Sequence, residues 1–288
     1  MSKSPDIAAT PRPALRAVRF SRDWITRLVF GVALALVTIA AICGGTLYLA
    51  VVVAAAAFFA AREWNRIIDD GRLSPELAPT AAAIWLALGA LFLWPSGIAS
   101  YAVLLCGTFL VLALSVTRHS RPLWQAAGVL YIGLPSLAVL LLREVPLRGG
   151  WLIGLLFVVV WATDTSAFVI GNLVGGPKLA PVLSPNKTWS GTIGGVAAGA
   201  IASAIFIAAI GGDAARAALF GAALSAVAHL GDLFESWVKR RFHLKDSGAL
   251  IPGHGGVLDR IDSTLAAALA LQIAVFLFGL DPLFGARP

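Results

Sequence analysis

The sequence predicts an all-α, polytopic integral membrane protein of about nine transmembrane helices with a cytoplasmic N-terminus, and three observations predict it. Of 288 residues, 59% are apolar and only 13% charged, against roughly 45–50% and about 25% in soluble domains. The apolar residues gather into runs that reach the roughly 20 residues needed for a bilayer crossing. The charges lie between those runs and are distributed unevenly. This composition excludes an ordinary soluble enzyme, a disordered chain and a disulfide scaffold. Cys43 and Cys106 both lie inside apolar runs, where a thiol behaves as a small buried hydrophobe, so neither a disulfide nor a zinc framework is expected. A net charge of +7 would point to nucleic acid on a soluble chain. Here the position of each charge says more than the total, and no nucleic-acid partner is expected.

Residues 1–27 contain Lys3, Arg12, Arg16, Arg19, Arg22 and Arg27 and read as a basic cytoplasmic arm. The apolar stretch 28–61 is broken only by Cys43-Gly44-Gly45-Thr46, which divides it into spans one and two. A cleaved leader, or a lipid-modified Cys43, competes for this first run; the bulky Ile42 ahead of the cysteine disfavours cleavage. The polar stretch 62–79 follows, then span three (80–94), the Pro95-Ser96-Gly97 turn, and span four to residue 116. Span five covers 124–142 and span six 151–171. A loop rich in glycine, proline and lysine (172–187) leads to span seven (189–210). Span eight starts near Ala214 and runs into a charged stretch ending at Lys245; span nine covers 261–280. The chain thus divides into the arm, N-terminal helices at 28–150, a C-terminal catalytic region at 151–280, and a short tail at 281–288. Its alanine and glycine content favours close helix packing through small residues.

With the N-terminus inside, every one of the 22 basic residues falls on the cytoplasmic side except Arg143, Arg148, Arg216 and Arg287. That asymmetry supports both the number of spans and their orientation, and predicts a multi-pass protein of the inner (plasma) membrane.

In a chain this apolar, the chemistry is carried by ionisable groups within or at the ends of spans, since each costs roughly 2.5–3.5 kcal/mol at a helix centre. Asp164 lies inside span six, Asp232 toward the cytoplasmic end of span eight, and Asp259 and Asp262 around the start of span nine. At helical spacing, Asp232, Ser236, Lys239 and Arg240 fall on one face. A carboxylate suits a hard cation such as Mg²⁺, and the two basic groups suit phosphate. Taken alone, Lys239, Arg240 and Arg241 would read as anchors to lipid head groups; Asp232 and Ser236 on the same face argue for more. The stretch from Lys245 to Asp262 holds Pro252-Gly-His254-Gly255-Gly256 ahead of Asp259-Arg260-Ile-Asp262. A glycine loop entering a helix offers backbone N–H groups to an anion, and acids three apart share a helical face. Those two acids could equally complement the helix N-terminus. A third cluster, Ser184-Pro185-Asn186-Lys187-Thr188, supplies a hydroxyl cap and a cation ahead of span seven. Acids, cations and glycine loops crowded on one side of a bilayer point to metal plus polyphosphate.

The run from Ser236 to Asp262, S-x-V-K-R-x4-K-D-x-G-x2-I-P-x-H-G-G-V-x-D-R-I-D, resembles the signature of the phosphatidate cytidylyltransferases, the CDP-diacylglycerol synthases. The Asp164 segment and Ser184–Thr188 are similar to other parts of that family, so the resemblance extends over 151–262, whereas 1–150 share only the multi-span pattern. Asn186 and Asn172 depart from it, each standing where a basic residue is usual. The resemblance implies that CTP and phosphatidic acid give CDP-diacylglycerol and pyrophosphate with Mg²⁺, with or without a second cation. It carries the metal positions onto Asp232, Asp259 and Asp262, and phosphate binding onto Lys239 and Arg240 with Ser236 beside them. Asp164 and Lys187 become supporting members. Ser184, Lys245, His254, Gly255, Gly256 and Arg260 complete the expected substrate contacts. Phosphatidate is already an anion near neutral pH, so no strong general base is needed; positioning and charge neutralisation are the protein's contribution. The bilayer is the other expected partner, and a homo-oligomer is compatible with the pattern. Two rival readings are a cation-coupled transporter or lipid flippase using its buried acids, and a CTP-dependent polyprenol kinase, which would release CDP rather than pyrophosphate.

Overall fold

The computed structural model describes residues 22–248, 250, 255–279 and 283. The basic arm up to residue 21, His254 and all of the C-terminal tail except Leu283 therefore lie outside the described residues. The fold is almost entirely helical: α1 (Arg22–Gly44), α2 (Thr46–Ile68), α3 (Leu77–Leu93), α4 (Ile98–Thr117), α5 (Pro122–Arg143), α6 (Gly149–Val174), α7 (Trp189–Ala209), α8 (Ala214–Arg241) and α9 (Leu258–Phe278). Two short strands, β1 (Lys178–Ala180) and β2 (Ser184–Thr188), form an antiparallel hairpin between α6 and α7, within the segment expected to be an unstructured loop. Among the described residues, seven helices are long and apolar enough to cross a membrane. Among the described residues, the shorter apolar stretches are α3, at 17 residues, and Gly31–Gly44 of α1.

Local signals account for most boundaries. Gly45 adopts φ 98°, a backbone state that suits glycine, and so separates α1 from α2 at the expected break. Pro122 opens α5 in its first turn, where its missing N–H costs nothing. The Asp213 side chain accepts from the N–H groups of Ala215 and Arg216, 3.0 Å each, and caps α8. Two of the boundaries that differ from the sequence reading bear on the site. The polar stretch expected from residue 62 begins only after Ile68, because Trp64, Ile67 and Ile68 continue the apolar face of α2 at helical spacing and are buried. Span nine begins at Leu258, so Asp259 lies within its first turn.

The most buried of the seven long helices is α5, which packs against α2, α3, α4, α6 and α9. Along the opposite flank, α6, α7 and α8 pack in sequence. Small residues permit that close approach: a Cβ added at Gly199 of α7 would lie 1.9 Å from Ser225 Oγ and 2.6 Å from Thr163 Oγ1. The helix ends meet in two groups. Arg121, after α4, bonds Asp70, after α2, at 3.0 Å and lies 5.0 Å over the ring of Phe242, after α8. At the other end, Thr46, after α1, donates to Glu144, after α5.

Candidate active site

Four elements bring their polar groups together near the Phe242 end of the bundle. The hairpin supplies Lys187. Strand alternation sends Thr188 inward, where its hydroxyl accepts from Gly191 N–H at 3.1 Å and caps α7. Lys187, on the opposite side, reaches Asp232 of α8, Nζ to Oδ2 2.5 Å, with both side chains partly exposed. Ser236, one turn further along α8, donates a long 3.5 Å hydrogen bond to Asp232 Oδ1. The next turn places Lys239 between Glu235 at 2.5 Å and Asp259 of α9 at 2.6 Å, all three largely buried. From α6, Asp164 accepts a 3.0 Å hydrogen bond from Ser263 of α9. Asp262 is buried, accepts from Ser263 N–H at 2.7 Å, and stands close enough to Asp232, Glu235 and Asp164 to feel their charges. Asp164 keeps an accessible surface although Ser263, Asp232, Lys187 and Arg260 lie near it.

Other expected members are placed differently. Arg240 leaves the acidic face and donates to two carbonyls, Leu183 at 3.4 Å and Leu244 at 3.0 Å, fastening the hairpin turn to the end of α8. Ser184 pairs in register with Ala180 at the start of β2. Lys245 is exposed just beyond α8, and Asn186 is exposed on β2, as is Asn172 on α6. Arg260 is exposed on the first turn of α9.

The glycine loop ahead of α9 is not an open nest in its described part. Gly256 N–H donates to Asp259 Oδ2 at 3.0 Å, and Ser247 N–H donates to the same carboxylate at 3.2 Å. The next two amides are claimed from far away in the chain. Glu63 of α2, fully buried, accepts from Val257 N–H at 3.0 Å, Leu258 N–H at 2.7 Å and Ser247 Oγ at 3.0 Å. Two of the protein's own carboxylates thus occupy the positive end of α9, because a helix N-terminus buried among apolar helices must be satisfied internally. The glycines are needed for this approach: a Cβ on Gly256 would lie 2.4 Å from Glu63 Oε2, and one on Gly248 2.7 Å from Oε1.

Sequence reasoning missed Glu63, Glu235, Ser263 and His229. Glu235 was findable, lying four residues before Lys239 in a helix, and Glu63 by extending the apolar period of α2. His229 is buried beside α7, its Nε2 without a hydrogen-bond partner. Among the described residues, no three of His, Cys, Asp and Glu form a ready-made metal cluster. Asp259 is taken up by Lys239 and the loop amides, which leaves the partly exposed Asp232 and the buried Asp262, with Asp164 nearby, as the remaining oxygen donors. Such a set is what a hard cation needs when it keeps water and substrate oxygens in its shell, since Mg²⁺ is usually held by one or two carboxylates plus phosphates.

Acids and lysines converging beside a helix N-terminus agree with a likeness that spans the fold: the profile of the Cytidylyltransferase family matches residues 25–278. The chain belongs to the cytidylyltransferase family. Its curated relatives include the phosphatidate cytidylyltransferase of Brucella suis biovar 1 (strain 1330), 52% identical over 159 residues, 54% of this chain and 57% of that protein. The chain therefore spans just over half the length of the Brucella relatives it matches. The phosphatidate cytidylyltransferase of Rickettsia bellii (strain RML369-C) is 42% identical over 170 residues, 56% of this chain and 72% of that protein. That of Bacillus subtilis (strain 168) is 36% identical over 183 residues, 63% and 68% of the two chains.

Proposed function

We propose that this member of the cytidylyltransferase family is an enzyme that transfers CMP from CTP to phosphatidic acid, giving CDP-diacylglycerol and pyrophosphate. The observation that carries the reading is the meeting of Asp164, Lys187, Asp232, Lys239, Asp259 and Asp262 from the hairpin, α6, α8 and α9. A phosphate monoester oxygen of the lipid attacks the α-phosphorus of CTP, and the bond to the bridging oxygen breaks as pyrophosphate leaves. Both reactants are anionic, so the barrier falls only where their charges are offset and their atoms aligned. Lys187, partly exposed on a hairpin, can exchange Asp232 for a phosphate oxygen. Ser236 lies beside Asp232, and Arg260 beside Asp164. Lys239 and Asp259 hold α8, α9 and the loop in register, so that Asp232 and Asp262 keep their separation. Mg²⁺ would be held by Asp232 and Asp262, while Asp259, the third position that the resemblance implies, is engaged by Lys239 and the loop amides; the ion would supply positive charge to the phosphates.

In this reading the site faces the cytoplasm from a multi-pass inner-membrane protein of nine crossings, with the basic arm inside. The support is the placement of the basic residues together with the meeting of the loops after α2, α4 and α8 at one end. The rival transporter reading lacks charges arranged in two related halves at mid-membrane. The test is pyrophosphate release by purified protein given CTP and Mg²⁺, with and without phosphatidate. Release is expected only with phosphatidate, and Asp232→Asn should reduce it at least about a hundredfold, as loss of a charge-stabilising group does, while leaving the protein inserted. Release of CDP in place of pyrophosphate would make it a kinase, and transport without CTP would make it a carrier.

A further inference from the structure

The flank formed by α6, α7 and α8 closes along a seam of small residues that ends at the Lys187–Asp232 pair. On α7 the buried residues fall four apart and are small: Gly191, Gly195, Gly199 and Ser203. On α8 the facing residues are Gly221, Ser225 and His229, also four apart, with Asp232 three further along. The two rows run antiparallel and interlock. A Cβ on Gly221 would lie 2.4 Å from Ser203 Cβ, one on Gly199 1.9 Å from Ser225 Oγ, and one on Gly195 2.8 Å from His229 Nε2. Side chains of α8 thus fill the glycine notches of α7 in order, and of these His229 is by far the largest.

His229 is 7% exposed and its Nε2 has no hydrogen-bond partner, whereas a leucine would fill the same notch without a stranded nitrogen. The surroundings of the ring give a reason for the imidazole. The carbonyl of Thr192 on α7 stands beside it, and Lys187 and Asp232 lie close enough to act on its charge. Thr192 belongs to the first turn of α7: its hydroxyl donates to the carbonyl of Thr188 at 3.1 Å, and Thr188 directly follows Lys187. We propose that His229 is a positioning residue, which holds the Thr192 carbonyl, fixes the register of α7 on α8, and so seats the hairpin's Lys187 over Asp232. The inference rests on the nucleotidyl-transfer reading, in which Lys187 exchanges Asp232 for a phosphate oxygen, and adds what aims that lysine. A slip of one residue moves the start of α7 by about 1.5 Å, and a misplacement of about 1 Å is enough to cost activity.

His229→Leu keeps the bulk and removes the polar contact. It should raise KM for CTP about tenfold and leave KM for phosphatidate within about twofold, because the lysine that meets CTP loses its seat. In a Lys187→Met background the same substitution should change KM for CTP by less than about twofold, since residues that act through one another are not additive. Multiplied effects, equal rises for both substrates, or no rise for CTP would overturn the assignment. His229→Gln and His229→Asn each offer an N–H at a different reach, and one of them should return KM for CTP to within about threefold of wild type. Failure of both would reduce His229 to packing and refute the proposal. A second measurement needs no turnover. In His229→Leu, hydrogen exchange should quicken at least about tenfold at Trp189 and Gly191, whose amides bond the Pro177 carbonyl and the Thr188 hydroxyl, while Val257 and Leu258 keep their protection. Unchanged protection at the start of α7, or its loss at both places, would count against the role. Quickened exchange confined to the start of α7, in a protein whose wild type releases no pyrophosphate from CTP, would sink the catalytic reading and leave the positioning role standing.

Discussion

Lys239 lies between Glu235 and Asp259 with 11% of its side chain exposed and those partners at 1% and 10%, whereas Lys187 meets Asp232 with 23% and 31% exposed. Both lysines neutralise carboxylates of α8, Asp232 and Glu235, which lie less than one turn apart. In the first group one cation serves two acids in a dry space, and its partners come from α8 and α9, so it acts as a lock between helices. In the second, a hairpin side chain touches an acid that water can reach. The contrast separates charge used to hold the site together from charge that a ligand can displace. It also explains why the basic residues of α8 do not act as one patch: Lys239 is committed to acids, Arg240 to backbone carbonyls, and Arg241 is exposed.

The largest effect should follow from breaking the buried lock. Lys239→Met leaves two nearly buried carboxylates facing each other without a cation, and removing one member of such a group costs about 3–5 kcal/mol. The expected outcome is a large fall in the thermal midpoint in detergent, with activity lost through lost structure. A variant that melts like wild type would deny Lys239 its locking role. Glu63→Gln comes next. Glutamine keeps the shape but places an NH₂ against amide and hydroxyl donors and removes the negative charge from the α9 N-terminus. A buried donor left unpaired costs about 1–3 kcal/mol. Faster hydrogen exchange at Val257 and Leu258, with a lowered midpoint, would register this, and unchanged protection of both amides would exclude Glu63 as the cap.

Much of this site was legible because its parts are local. The stacking of Asp232, Ser236 and Lys239 follows from spacing on one helix, and so does the shared orientation of Asp259 and Asp262 toward α8. The N-terminal half carried no such signal. Glu63 finds its partners 184 to 195 residues further along the chain, and no periodicity encodes so distant a meeting. What the sequence does contain is the continuation of α2 through Trp64, Ile67 and Ile68, which turns a supposed loop acid into a helical one. The hairpin was hidden for a different reason. Its first strand has three residues and its second contains Pro185, so neither shows the alternating run that marks a strand. The direction of Arg240 depended on that unseen hairpin, whose Leu183 carbonyl it binds.

The smallest structural effect, and the sharpest test of the contrast, belongs to Lys187→Met. An ion pair this accessible contributes less than about 1 kcal/mol, so the thermal midpoint should barely move. If the lysine is there for a phosphate, KM for CTP should still rise by roughly tenfold, the equivalent of about 1.4 kcal/mol of lost binding. The rise should be larger at low ionic strength, where charges act over a longer range. A variant with unchanged KM and a midpoint lowered as far as that of Lys239→Met would make Lys187 a second lock and erase the distinction between the two groups.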